Sequence, residues 1–154
     1  MFSILKRKPS KEQLFRRVSD IAFDLLDAQR IFINEDEFVL MDGAGAINDK
    51  ALGYVFGFLD ALLQSNKLDI RDAEGQAAML SLLGRLFPKE IAKTGTFIAH
   101  LYTMRGNPEV LNGMMLGGKQ ATDFLRHRTP PVRWAVCFSK ELDRLAAERD
   151  RQMR

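Results

Sequence analysis

Cysteine is almost absent from this chain, and so are the patterns that announce most small enzymes and membrane proteins. Cys137 stands alone among 154 residues, so no internal disulfide can form and a reducing compartment, the cytoplasm, is the expected location. No run of about 18 apolar residues occurs, so no membrane-spanning segment is expected. Residues 1–9, MFSILKRKP, begin with too short an apolar stretch for a secretory signal and carry their cations on the wrong side of it. Histidine is confined to His100 and His127, far apart and without H-x-x-x-H spacing, which leaves no zinc pattern. No serine occupies a nucleophile elbow. No catalytic constellation can be assembled, and neither a cofactor nor a metal is expected.

Two motifs look like chemistry and have plainer explanations. Residues 113–119, GMMLGGK, spell the GxxxxGK of a phosphate-binding loop. That loop needs a preceding strand and a Ser or Thr after the lysine. Here Asn107-Pro108-Glu109 starts a helix upstream and Gln120 follows the lysine. The acids Asp69, Asp72 and Glu74, with Asp60 one helix earlier, lack the alternating ladder and turning glycine of a calcium loop. Capping of a helix N-terminus, with Asp69 as N-cap and Asp72 and Glu74 in the first turn, explains them instead.

What the chain has in quantity is helical apolar periodicity. Residues 51–67, ALGYVFGFLDALLQSNK, place Leu52, Val55, Phe56, Leu59, Leu62 and Leu63 at helical spacing, with Tyr54 and Phe58 on a second side. A helix apolar around most of its circumference belongs at the centre of a bundle. Ser10-Lys11-Glu12-Gln13 is a capping box opening a first helix whose inner face is set by Leu14, Val18, Ile21, Ala22 and Leu25. A third helix is expected to bury Ala77, Leu80, Leu83, Leu86 and Phe87, stopping at Pro88. A fourth carries Ile91, Ile98, Leu101 and Tyr102 inward. The fifth begins at Asn107-Pro108, and Thr129-Pro130-Pro131 separates it from a last helix with Ala135, Phe138, Leu142 and Leu145 and a charged tail. The fold class is all-α: a compact single-domain bundle of about six helices over residues 10–154, with at most one small β-hairpin near residues 30–41.

Glycine is placed with equal regularity. Gly53, Gly57 and Ala61 lie four residues apart in one helix, and Gly113, Gly117 and Ala121 repeat that strip in another. Either the strips cross inside one monomer, each glycine admitting the other backbone, or one of them makes a homodimer.

Charge divides the functional readings. The net charge is +3, yet Lys6, Arg7, Lys8, Lys11, Arg16 and Arg17 face only Glu12 near the start. Residues 1–9 are expected to form a flexible basic arm, whose contact with nucleic acid or anionic membrane would be weak and non-specific. Two stretches, residues 63–83 and residues 90–121, resemble the tellurite-resistance TerB-like helical family in their order of helix, polar turn and small-residue-rich helix. The resemblance implies a compact helical interaction module. It implies no metal site, because Asn66-Lys67 stands where the family has an acidic Asp-Gly turn, and residues 124–131 are basic and contain prolines. The expected function is therefore an intracellular protein-interaction or regulatory module without catalytic activity, with a protein partner and a homodimer as the candidate associations. The alternatives are a small helical enzyme or ligand-binding protein using Asp60, His100 and Asp123, and a nucleic-acid or membrane-surface accessory protein using the basic arm with Arg126, Arg128 and Arg133.

Overall fold

The computed structural model describes residues 7–154, with only the backbone of Lys140. Six α-helices follow one another: α1 Lys11–Asp27, α2 Asp49–Ser65, α3 Ala73–Leu86, α4 Thr94–Thr103, α5 Pro108–His127 and α6 Lys140–Gln152. Short 3₁₀ segments lie at Ala28–Phe32, Pro88–Lys93 and Ala135–Phe138. The fold is all-α, and among the described residues no helix is long and apolar enough to cross a membrane. Residues 1–6 of the basic arm lie outside the described residues.

Local hydrogen bonding fixes the helix starts. The Ser10 hydroxyl accepts the Gln13 amide at 3.1 Å, and Gln13 returns the bond to the Ser10 N–H at 2.9 Å. Asn48 caps α2 through the Ala51 N–H at 3.1 Å. Asn107 caps α5, with Pro108 in the first turn. The third helix starts later than its sequence suggests. Asp72, not Asp69, is its N-cap residue, and Asp72 makes no side-chain capping bond; it pairs with Lys11 at 2.7 Å, while Glu74 sits in the first turn.

The centre of the bundle is α2, buried on nearly every side by Leu52, Tyr54, Val55, Phe58, Leu59, Leu62 and Leu63. It runs parallel to α5 at close range. Gly53 backs onto Val110 and Gly57 onto Met114, while Gly113 backs onto Lys50 and Gly117 onto Tyr54. A Cβ on any of these four glycines would lie within 3.0 Å of a carbonyl oxygen across the interface. Ala121 is fully buried and Ala61 half-buried. The GxxxxGK letters are thus interior turns of α5, not a loop.

Where at most one small hairpin was expected, none forms: Ala28–Phe32 is a 3₁₀ turn, and the described backbone has only an isolated antiparallel bridge, between Met41 and Ile47. Two other expectations change. The inner faces of several helices are rotated by about one residue. Helix α1 buries Phe15, Val18, Ser19, Ala22 and Leu26, leaving Ile21 exposed; α3 buries Met79, Leu82, Leu83 and Leu86, leaving Leu80 exposed. Ile91 is 61% exposed, and Tyr102 lies at the surface. Finally, the last predicted helix divides at Ser139, whose hydroxyl caps α6 through the Leu142 amide.

Long-range polar bonds anchor the stretch before that division. The Trp134 indole donates to the Ala51 carbonyl at 3.2 Å. The Arg133 amide donates to the Gln120 side-chain oxygen at 3.0 Å and the Ala135 amide to that of Gln29 at 3.1 Å. Tyr54 also donates its hydroxyl to Gln120. Trp134 then completes a cluster with Phe38, Phe87 and Phe138, their ring centroids 4.6–6.1 Å apart.

Candidate functional site

A groove of about 690 Å³ opens between the second half of α2, the α2–α3 turn, the end of α4 and the start of α5. Its floor is apolar: Phe56, Leu68, Ile70, Leu101 and Met114. Its lip carries Tyr102 and Leu111, 37% and 43% exposed. Around the rim stand Asp60, Lys67, Asp69, Arg71 and Arg105. An apolar floor with a few convergent charged groups is the usual composition of a binding site.

The walls are fixed before anything binds. One residue of α3, Gln76, donates through its side-chain amide to the Ile70 carbonyl at 2.8 Å and to the Tyr102 hydroxyl at 2.5 Å, tying the α2–α3 turn to α4. Gly75 lets that turn lie directly on α3, since a Cβ there would meet the Asp69 and Ile70 carbonyls. Phe56 and Tyr102 stack edge to face at 6.5 Å. Within the turn the Arg71 guanidinium grips the Asp69 carboxylate by two bonds of 3.0 and 3.1 Å, and the Arg71 amide adds a third at 2.9 Å. These bonds hold Asp69 below the usual carboxylate range and raise Arg71. A site built this way loses little conformational freedom on binding.

The structure brings two of the polar candidates, Asp60 and Asp69, to this groove. Asp60 accepts from the Gln64 amide at 3.0 Å. Asp72 and Glu74 lie outside it. His100 is half-buried and joined to Asp49, in the first turn of α2, at 2.6 Å. Asp123 is on the later part of α5 and lines neither this groove nor the one around Lys50. The trio Asp60, His100 and Asp123 therefore does not come together in this groove. Among the described residues no group of three His, Cys, Asp or Glu side chains could hold a metal ion. The second groove, about 500 Å³, surrounds Lys50 with Glu37, Asp42, Glu109 and Asp143. Cys137 lines it too, and burial pushes its thiol up to about 12, so it is a poor nucleophile.

No family model, curated protein or solved structure matches the chain.

The periodicity of the sequence conceals this groove for a clear reason. Tyr102 occupies a helical position that reads as core, yet with Leu111 it forms a lip over a space that no other described element fills. Gln76, the residue that shapes it, is an unremarkable polar side chain in sequence, and its two partners are 6 and 26 residues away.

Proposed function

We propose that this protein is a non-catalytic interaction module that docks a segment of a partner protein in the groove between α2, α4 and α5. The observation that carries the reading is the preformed apolar floor beneath exposed Tyr102 and Leu111, its walls cross-braced by Gln76. Fixed aromatic and aliphatic contacts rimmed by charge are what short peptide segments recognise. The separation of Asp60, His100 and Asp123 and the protonated thiol of Cys137 weigh against a reaction centre. The resemblance of residues 63–83 and 90–121 to TerB-like helical modules agrees with a binding role.

Panning a random peptide library against the protein tests the proposal, with Leu111→Glu as the counter-screen. Leu111 is exposed, so the variant should keep its helical circular dichroism and melting temperature. Selected peptides should bind the parent at micromolar Kd and the variant at least tenfold more weakly. A library that yields no binder, or binders indifferent to Leu111→Glu, would remove the groove from consideration.

A further inference from the structure

The rim charges of the groove are not equally engaged. Asp69 is held by both ends of Arg71 and by its amide, and Asp60 takes the Gln64 amide while also facing Arg71. Lys67 and Arg105 have no carboxylate partner among the described residues. Both lie just beyond a helix C-terminus, where cations are generally favoured. At α2, however, the terminal carbonyls are already taken: Leu62 by the Ser65 and Asn66 side chains, Leu63 by the Leu68 and Asn66 amides, and Gln64 by the Lys67 amide. The Lys67 ammonium is therefore not needed as a cap. Its backbone is left-handed, φ 57°, a conformation that glycine adopts more easily than lysine. The whole chain, at +3 and a pI near 9.2, also attracts acidic partners over a distance.

We propose that the segment docking here is acidic: one or two apolar anchors on the floor, flanked by Asp or Glu carboxylates that pair with Lys67 and Arg105. This inference rests on the docking role proposed above. Three rim cations stand against two acids; Asp69 is paired with Arg71 and Asp60 accepts the Gln64 amide, so an incoming carboxylate meets the unpaired charges of Lys67 and Arg105.

The peptides selected by panning are the probes, resynthesised with each Asp and Glu changed to Asn and Gln, and again to Lys. Acidic residues should be enriched beside the apolar anchors. Neutralising them should weaken binding three- to tenfold in 0.15 M salt, and less in 0.5 M salt. Lys67→Glu/Arg105→Glu should reverse the preference, binding the Lys series over the acidic one; both positions are exposed, so the fold should persist. Peptides that require Leu111 but ignore their own charge and the double variant would overturn the acidic inference and leave the groove standing. An absence of any Leu111-dependent peptide would overturn both. A dimer in sedimentation that Leu111→Glu dissociates would give the groove to a second copy of the chain, and overturn the inference as well.

Discussion

Glu90 is a carboxylate 7% exposed, with no cation paired to it among the described residues. It is held by two backbone donors, the Leu40 amide at 2.8 Å and the Met41 amide at 3.0 Å. Those residues belong to the irregular segment between α1 and α2, which has no ladder to satisfy its own N–H groups. A buried amide without an acceptor costs about 1–3 kcal/mol. Glu90→Ala is therefore expected to lower the unfolding free energy by about 2–4 kcal/mol. Glu90→Gln should cost less, since its single oxygen still accepts one of the two amides, leaving the other unpaired against a donor NH₂. Urea denaturation of the two variants checks the order; equal and negligible losses would mean that the segment is held by Phe38 packing alone. Glu90 is invisible to sequence reasoning because its partners are about fifty residues away.

Caps and small-residue strips are the features that the sequence displays most openly, for they depend on neighbours three or four positions apart. Ser10 and Asn107 cap as their spacing indicates. Burial faces are harder to read. Leu80 beside Met79, and Ile91 before Phe97, present apolar choices that only the tertiary neighbours decide, and the helices turned the other residue inward. The start of α3 has the same ambiguity: Asp69 and Asp72 lie close together, and Arg71 engages Asp69. The groove is legible only in part, through Asp60 and Asp69, because Tyr102, which forms half of its lip, sits where periodicity assigns core. At the α2–α5 interface the expectation is severe. Gly57→Ala adds a single carbon, yet that carbon would meet the Met114 carbonyl, a backbone atom with no rotamer to change. Overpacking usually costs about 1–3 kcal/mol, and the gain in helix propensity recovers just under 1. Gly57→Ala should lose about 2 kcal/mol net, whereas Gly95→Ala, where nothing lies within 4 Å, should lose none. Thermal melts of the pair compare the two directly, and an undiminished Gly57→Ala protein would mean that the helices separate freely.

The stability of the whole molecule should fall on the alkaline side. Tyr54 is fully buried, and burial raises its phenol well above the ordinary value; burial likewise raises the Cys137 thiol to about 12. Both groups stay protonated in the folded protein and ionise more readily in the unfolded chain, near pH 10 and about 8.5. Their stabilising effect is complete below those unfolded values and is lost as pH rises toward the folded ones. The urea midpoint should be flat near pH 7–8 and decline above about pH 8.5. Cys137→Ala should flatten the earlier part of the decline and Tyr54→Phe the part above pH 10; parallel curves for all three proteins would show that other groups set the alkaline limit. The parallel pairing of α2 with α5 also has a meaning in time. Gly53 leaves the ribosome fifty-seven residues ahead of Val110, which at roughly 5–20 residues per second is an interval of about 3–11 s. Throughout that interval the central helix of the bundle has an uncovered channel of glycine and aromatic surface, so a nascent chain stalled before Pro108 offers chaperones and other unfinished chains a point of attachment.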